Sequence, residues 1–163
     1  MGFSFTLNIT MKKYLLLFAI FTIALSSCKK STDDTTATQA ADDDAAIQTY
    51  MQANKITAIK DPSGLYYQVI TPGTGAYPTS VSNVSVGYTG KLLDGTVFDT
   101  KSSVYLNLAS GVVKGWQIGM QHINTGGTIL LLIPSALGYG TAAVNSVPAN
   151  SVLVFTVTLQ GFN

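Results

Sequence analysis

Val112-Val113-Lys114-Gly115-Trp116-Gln117-Ile118-Gly119-Met120-Gln121-His122-Ile123 is the stretch that decides the fold. Trp116, the single tryptophan of the chain, stands with Met120 and Ile123 at i, i+4 and i+7, on one face of a short helix. Almost everything around it reads as strand. One short helix with an apolar stripe, set among antiparallel strands, buries that stripe by lying against the concave face of a twisted sheet. The expected class is α+β: a twisted antiparallel sheet half-wrapped around one short helix.

Outward from that helix, the strands follow from alternation and turn chemistry. Asp61-Pro62-Ser63-Gly64 is a turn that introduces a first strand, Leu65 to Thr71, closed by Pro72-Gly73-Thr74-Gly75. From Ser82 to Leu93, Val84, Val86 and Tyr88 point one way while Ser85, Gly87 and Thr89 point the other, as in a half-buried strand. Asp94-Gly95 is a hairpin signal returning the chain through Thr96 to Asp99. A polar stretch then separates this strand from another, Val104 to Leu108. Gly126-Gly127 turns into Thr128 to Ile133, and Ser151 to Gln160 is the last strand. Between those two, Pro134 to Asn150 is a loop rich in Gly, Ala, Ser and Pro; loops longer than about 12 residues without structure of their own are usually functional or disordered. This one is read as functional.

The N-terminal third has a different character. Met11-Lys12-Lys13 followed by the apolar run Tyr14 to Leu25 has the form of a secretion signal, too short to span a bilayer as a helix. Residues 1–10 precede that better start and read as an over-extended one, so residues 1–27 form the signal segment. Leu25-Ser26-Ser27-Cys28 resembles a bacterial lipobox, which makes Cys28 a lipidation site and the first mature residue. That reading places the chain on a bacterial membrane, expected to be the outer one, facing the periplasm or the exterior. Residues 28–46 hold little to bury and are expected to be a disordered tether. Residues 47–62 are expected to form a short helix and linker, with Asp42-Asp43-Asp44 at the helix start and Ile47, Tyr50 and Met51 sharing a face. The folded domain is then 63–163.

All nine basic residues are Lys and all eight acidic ones are Asp. Without Lys12 and Lys13 the balance is seven against eight, and no basic stripe of the kind that binds nucleic acid is present. With Cys28 lipidated, no thiol remains for a disulfide. His122, at the end of the central helix, reads as a helix-end cation or surface residue.

Five segments in order carry a family resemblance: Val86-Gly87-Tyr88-Thr89-Gly90, Asp94-Gly95-Thr96-Val97-Phe98-Asp99, Val112-Val113-Lys114-Gly115-Trp116, Gly138-Tyr139-Gly140 and Pro148-Ala149-Asn150-Ser151-Val152-Leu153-Val154-Phe155. Each is weak alone, but together, over Ser63 to Phe162, the chain resembles the FKBP-type peptidyl-prolyl cis-trans isomerases. The resemblance implies an enzyme that rotates X–Pro bonds without cofactor or metal, and with the secretion signal it is expected to act on exported proteins. It implies Trp116 as pocket floor, Tyr88, Phe98, Val112, Val113 and Phe155 as walls, Tyr139 as hydroxyl donor to a substrate carbonyl, and Asp99 as the residue that orients Tyr88. Val104 stands about where an aromatic wall residue is common and is taken as a substrate contact. Proline-containing polypeptides are the implied partners, with rapamycin-like macrolides as ligands of the same pocket. The residues leave a second function open, a non-catalytic module of the same fold that holds peptide segments.

Overall fold

The computed structural model describes residues 32–163, with side chains from Thr35 onward. The signal segment and Cys28 lie outside the described residues. Helix α1 spans Thr32–Asn54 and is followed by strands β1 (Ile59–Lys60), β2 (Tyr66–Thr71), β3 (Asn83–Lys91) and β4 (Val97–Asn107). Helix α2, Lys114–Gly119, continues as a single 3-10 turn, Met120–His122. Strand β5 is Thr128–Ile133; a second 3-10 turn, Ser135–Leu137, opens the long loop, and β6, Leu153–Phe162, ends the fold. The strands form one antiparallel sheet in the order β1-β2-β5-β6-β3-β4.

The concave face holds the expected core. Trp116, Met120 and Ile123 are buried together with Val84, Val86, Ile129, Leu131, Ile133, Leu153, Phe155, Val157 and Leu159. Small residues let the helix sit close to the sheet: a Cβ on Gly115 would stand 2.5 Å from Ile133 Cγ2, and one on Gly119 would stand 2.5 Å from Leu131 Cδ2. The spacing Gly-x-x-x-Gly thus packs the backbone of α2 against β5, while Trp116 packs on Tyr88 of β3 and Phe155 of β6.

The opposite face is covered too, which the sequence reading did not anticipate. Leu130 and Leu132 of β5, Val152, Val154 of β6 and Tyr66 of β2 pack around Ile47 of α1, which is fully buried. The two sheet faces explain why β5 reads Ile-Leu-Leu-Leu-Ile without alternation: a strand buried on both sides has no solvent-facing position.

Helix α1 corrects two expectations. From Thr32 on, the stretch expected to be a tether is helical, and Asp42, Asp43 and Asp44 lie in the middle of the helix and not at its start. The reason is tertiary. Asp43 accepts hydrogen bonds from the backbone N–H and the hydroxyl of Ser135, and Asp44 is bonded by Lys60 and by the Tyr66 hydroxyl at 2.7 Å. Lys60 and Tyr66, in that order, hold the Asp44 carboxyl below its ordinary range. Alanines and i,i+4 pairs such as Gln39 to Asp43 favour the helical state once it is docked. The helix ends with Lys55 at φ 55° and an Ile56 N–H to Met51 O bond of 2.9 Å, a Schellman-type stop.

The two strands expected on either side of a polar stretch, Thr96 to Asp99 and Val104 to Leu108, are one strand, β4. The polar residues form a bulge: β3 pairs Val86 with Val104 but Tyr88 with Lys101, so Ser102 and Ser103 together oppose Gly87. Gln160 secures it, donating to Ser102 O at 2.8 Å and accepting from the Ser103 hydroxyl at 2.8 Å.

Candidate active site

The site grows from α2 and the strands beneath it. Trp116 leaves the first turn of α2 and is only 3% exposed. Tyr88 meets its indole edge-on at 5.1 Å and 89°, and Phe155 does so at 5.3 Å and 89°. Phe98 meets Phe155 at 5.4 Å and 88°. Such edge-to-face contacts fix ring orientation as well as bury area. Gly90 makes the last contact feasible, since a Cβ there would lie 2.7 Å from both Phe98 Cζ and Phe155 Cε1.

A cavity of about 480 Å³ opens above this cluster, lined by Tyr88, Asp99, Leu106, Gly111, Val112, Val113, Lys114, Trp116, Gly138, Tyr139 and Phe155. Seven of the residues expected from sequence are therefore brought together: Tyr88, Asp99, Val112, Val113, Trp116, Tyr139 and Phe155. Phe98 is not among the lining residues and packs on Phe155 instead. Val104 is not among the lining residues either: it pairs with Val86 and packs on the core, and Leu106, two residues on along the same face of β4, lines the cavity. Leu106, Lys114 and the glycines 111 and 138 are lining residues that sequence reasoning missed; only the two-residue alternation from Val104 hinted at Leu106.

The polar groups of the cavity are few and linked. The Tyr88 hydroxyl donates to Asp99 Oδ2 at 2.5 Å. Burial first, then the hydrogen bond and charge of Asp99, push the Tyr88 phenol well above its ordinary value. Burial and then the charge of Asp99 raise Tyr139 as well. Both phenols therefore stay protonated through neutral and moderately alkaline pH, and Tyr139 retains a hydrogen to donate. Asp99 thus presents its charge to two tyrosines of the same cavity. Among the described residues no group of three or more His, Cys, Asp or Glu is placed to hold a metal ion. His122 stands apart, stacked on Tyr67 at 4.0 Å and 7°, with Nε2 3.7 Å from Asp61 Oδ2.

Residues 75–160 match the family described as FKBP-type peptidyl-prolyl cis-trans isomerase. The chain belongs to that family. It is similar to the FKBP-type isomerase FkpA of Escherichia coli K12, 41% identical over 125 residues that cover 74% of this chain and 46% of the relative. The crystal structure of Escherichia coli FkpA superposes with a TM-score of 0.67 at 32% identity, covering 97% of this chain and 74% of that one. A peptidyl-prolyl isomerase structure from Pseudomonas syringae pv. tomato gives 0.66 at 29% identity, covering 82% and 99%. The chain spans about half the length of the curated FkpA relatives it matches (46% for the one from Escherichia coli). In this FKBP-type fold the matched region takes in Tyr88, Asp99, Trp116, Tyr139 and Phe155, while α1 precedes it.

Proposed function

We propose that this domain accelerates cis–trans rotation about X–Pro bonds, with the cavity over Trp116 as its active site. The observation that carries the reading is a cavity walled by four aromatic and three aliphatic side chains, with one carboxylate and two protonated phenols set among them and Lys114 at its edge. Rotation breaks amide resonance at a barrier of about 18 to 20 kcal/mol, and no covalent bond is cut. The planar imide is the charge-separated form and is the better solvated by water. An aromatic pocket that strips that water destabilises the planar form relative to the twisted one, and each 1.36 kcal/mol or so gained is about tenfold in rate.

The side chains then have distinct tasks. Trp116 and Phe155 contact the prolyl ring, Val112 and Val113 shape the entrance, and Phe98 backs Phe155 from behind. Tyr139 donates to a substrate carbonyl, and Asp99 holds Tyr88 in register and supplies a fixed negative field beside the imide. A purified chain starting at Thr32 should speed isomerisation of a proline tetrapeptide, and a rapamycin-like macrolide should inhibit it while quenching Trp116 fluorescence. An unchanged isomerisation rate at high protein concentration would sink the reading and leave a peptide-holding module.

We further propose that the chain acts on exported proteins from a membrane anchor at Cys28. The apolar run that leads into Leu25-Ser26-Ser27-Cys28 supports it. Labelled palmitate should enter the wild-type chain and not the Cys28→Ser variant; equal labelling of both would remove the anchor from Cys28.

A further inference from the structure

Asp43 and Ser135 are both nearly fully buried, at 3% and 2% exposure, although neither belongs to the catalytic cavity. Among the described residues the Asp43 carboxylate has no cationic partner. It is satisfied instead by three donors: the Ser135 N–H at 2.8 Å, the Ser135 hydroxyl at 2.7 Å and the Gln39 side-chain amide at 2.8 Å. A buried carboxylate is costly unless such donors are held in place, so the contact fixes both sides of the junction.

The far side of Ser135 leads directly to Tyr139. The Ser135 carbonyl accepts the N–H of Gly138 at 2.9 Å and the N–H of Gly140 at 2.8 Å, the two residues that flank the tyrosine. Gly140 adopts φ +61°, and its own carbonyl accepts the Asn150 N–H at 2.8 Å, closing the loop. Every polar group of Ser135 is thereby engaged: two donors toward α1 and one acceptor toward the Tyr139 segment. The glycines have no side chain to anchor the tyrosine, so its backbone is held by the Ser135 carbonyl on the side facing α1, with the Asn150 N–H to Gly140 O and Ala142 N–H to Tyr139 O bonds on the other.

We propose that Asp43 is a positioning residue for Tyr139, acting through Ser135, so that docking of the N-terminal helix sets the alignment of the hydroxyl donor in the active site. The proposal rests on the isomerase reading for its effect on rate, but not for the anchoring itself. A catalytic group displaced by an ångström can lose much of its effect, and a single carboxylate on an element outside the cavity is enough to permit that displacement here.

The test uses the full chain. In Asp43→Ala, amide exchange at Gly138 and Gly140 should speed at least about tenfold, as local opening of the loop becomes easier. The same substitution should lower kcat roughly tenfold with KM little changed, since substrate contact with Trp116 and Phe155 is untouched. Asp43→Asn retains one acceptor oxygen for Ser135 and should recover part of the loss. In a Tyr139→Phe background, Asp43→Ala should cost nothing more, because the hydroxyl it aligns is already gone. Ser135→Ala, which removes a hydroxyl and leaves the backbone N–H bond, should show a smaller loss with the same dependence on Tyr139, and serves if Asp43→Ala does not fold. Unchanged exchange at Gly138 and Gly140, or a rate loss that multiplies with that of Tyr139→Phe, would overturn the proposal. A wild type without turnover would defeat the isomerase reading alone, since exchange reports the anchoring by itself.

Discussion

Asp99→Ala should lower kcat/KM for a proline tetrapeptide by roughly ten- to a hundredfold, less than the roughly hundred- to thousandfold lost with a directly bonded oxyanion-hole donor, because Asp99 acts beside the imide through its field. Asp99 is half-buried and lines the cavity, and its carboxylate is the acceptor for the Tyr88 hydroxyl. Its loss releases the Tyr88 hydroxyl and erases the negative field shared with Tyr139. The fold should survive, because Tyr88 still packs edge-on to Trp116 and the freed hydroxyl borders an open cavity where water can replace its acceptor. The unfolding free energy should fall by no more than about 1 kcal/mol. Matched urea titrations separate the two effects. A variant as active as the wild type would remove Asp99 from the chemistry, and a variant that fails to fold would make it a structural residue.

The largest effect on stability is expected at Ile47. It is fully buried at the centre of the cluster formed by Tyr66, Leu130, Leu132, Val152 and Val154. Ile47→Ala should destabilise by about 2 to 4 kcal/mol through lost transfer energy and a cavity. Ile47→Asp should cost more, at least about 3 kcal/mol, because an unpaired charge cannot stay in that cluster and α1 must undock to hydrate it. Undocking would also bare the apolar outer positions of β5 and β6, so the Asp variant should bind a hydrophobic dye and aggregate at concentrations the wild type tolerates. A chain cut at Ser63 would suffer the same exposure. Urea midpoints within error of the wild type for both substitutions would mean that the helix is not docked in solution.

Much of this architecture can be read from residue patterns, and the exceptions have physical causes. The stripe Trp116, Met120, Ile123 predicts the helix on the concave face, because its periodicity is local and its partners are apolar. The cavity residues were found by resemblance, and Tyr139 also stands out locally as a tyrosine between two glycines. Helix α1 was shortened because its docking depends on polar pairs, Asp43 with Ser135 and Asp44 with Tyr66, and a contact between residues 92 positions apart leaves no local trace. Leu130 and Leu132 did carry a signal: an unbroken apolar run in a strand requires cover on both faces, and one helix cannot provide it. Val104 and Leu106 share one face of β4 two residues apart, so alternation alone does not tell which of them reaches the cavity.

The position of β6 has a consequence for how the molecule comes into being. The last strand of the sheet in chain order, it lies between β5 and β3, and it alone joins the β1-β2-β5 half of the sheet to the β3-β4 half. A ribosome releases the chain from the N-terminus, so the hairpin and the first strands emerge with nothing to unite them. The sheet cannot close before the ten residues Leu153–Phe162 are available to pair, so its two halves stay separate, and the chain stays open enough to be threaded through a narrow channel, until that strand has emerged.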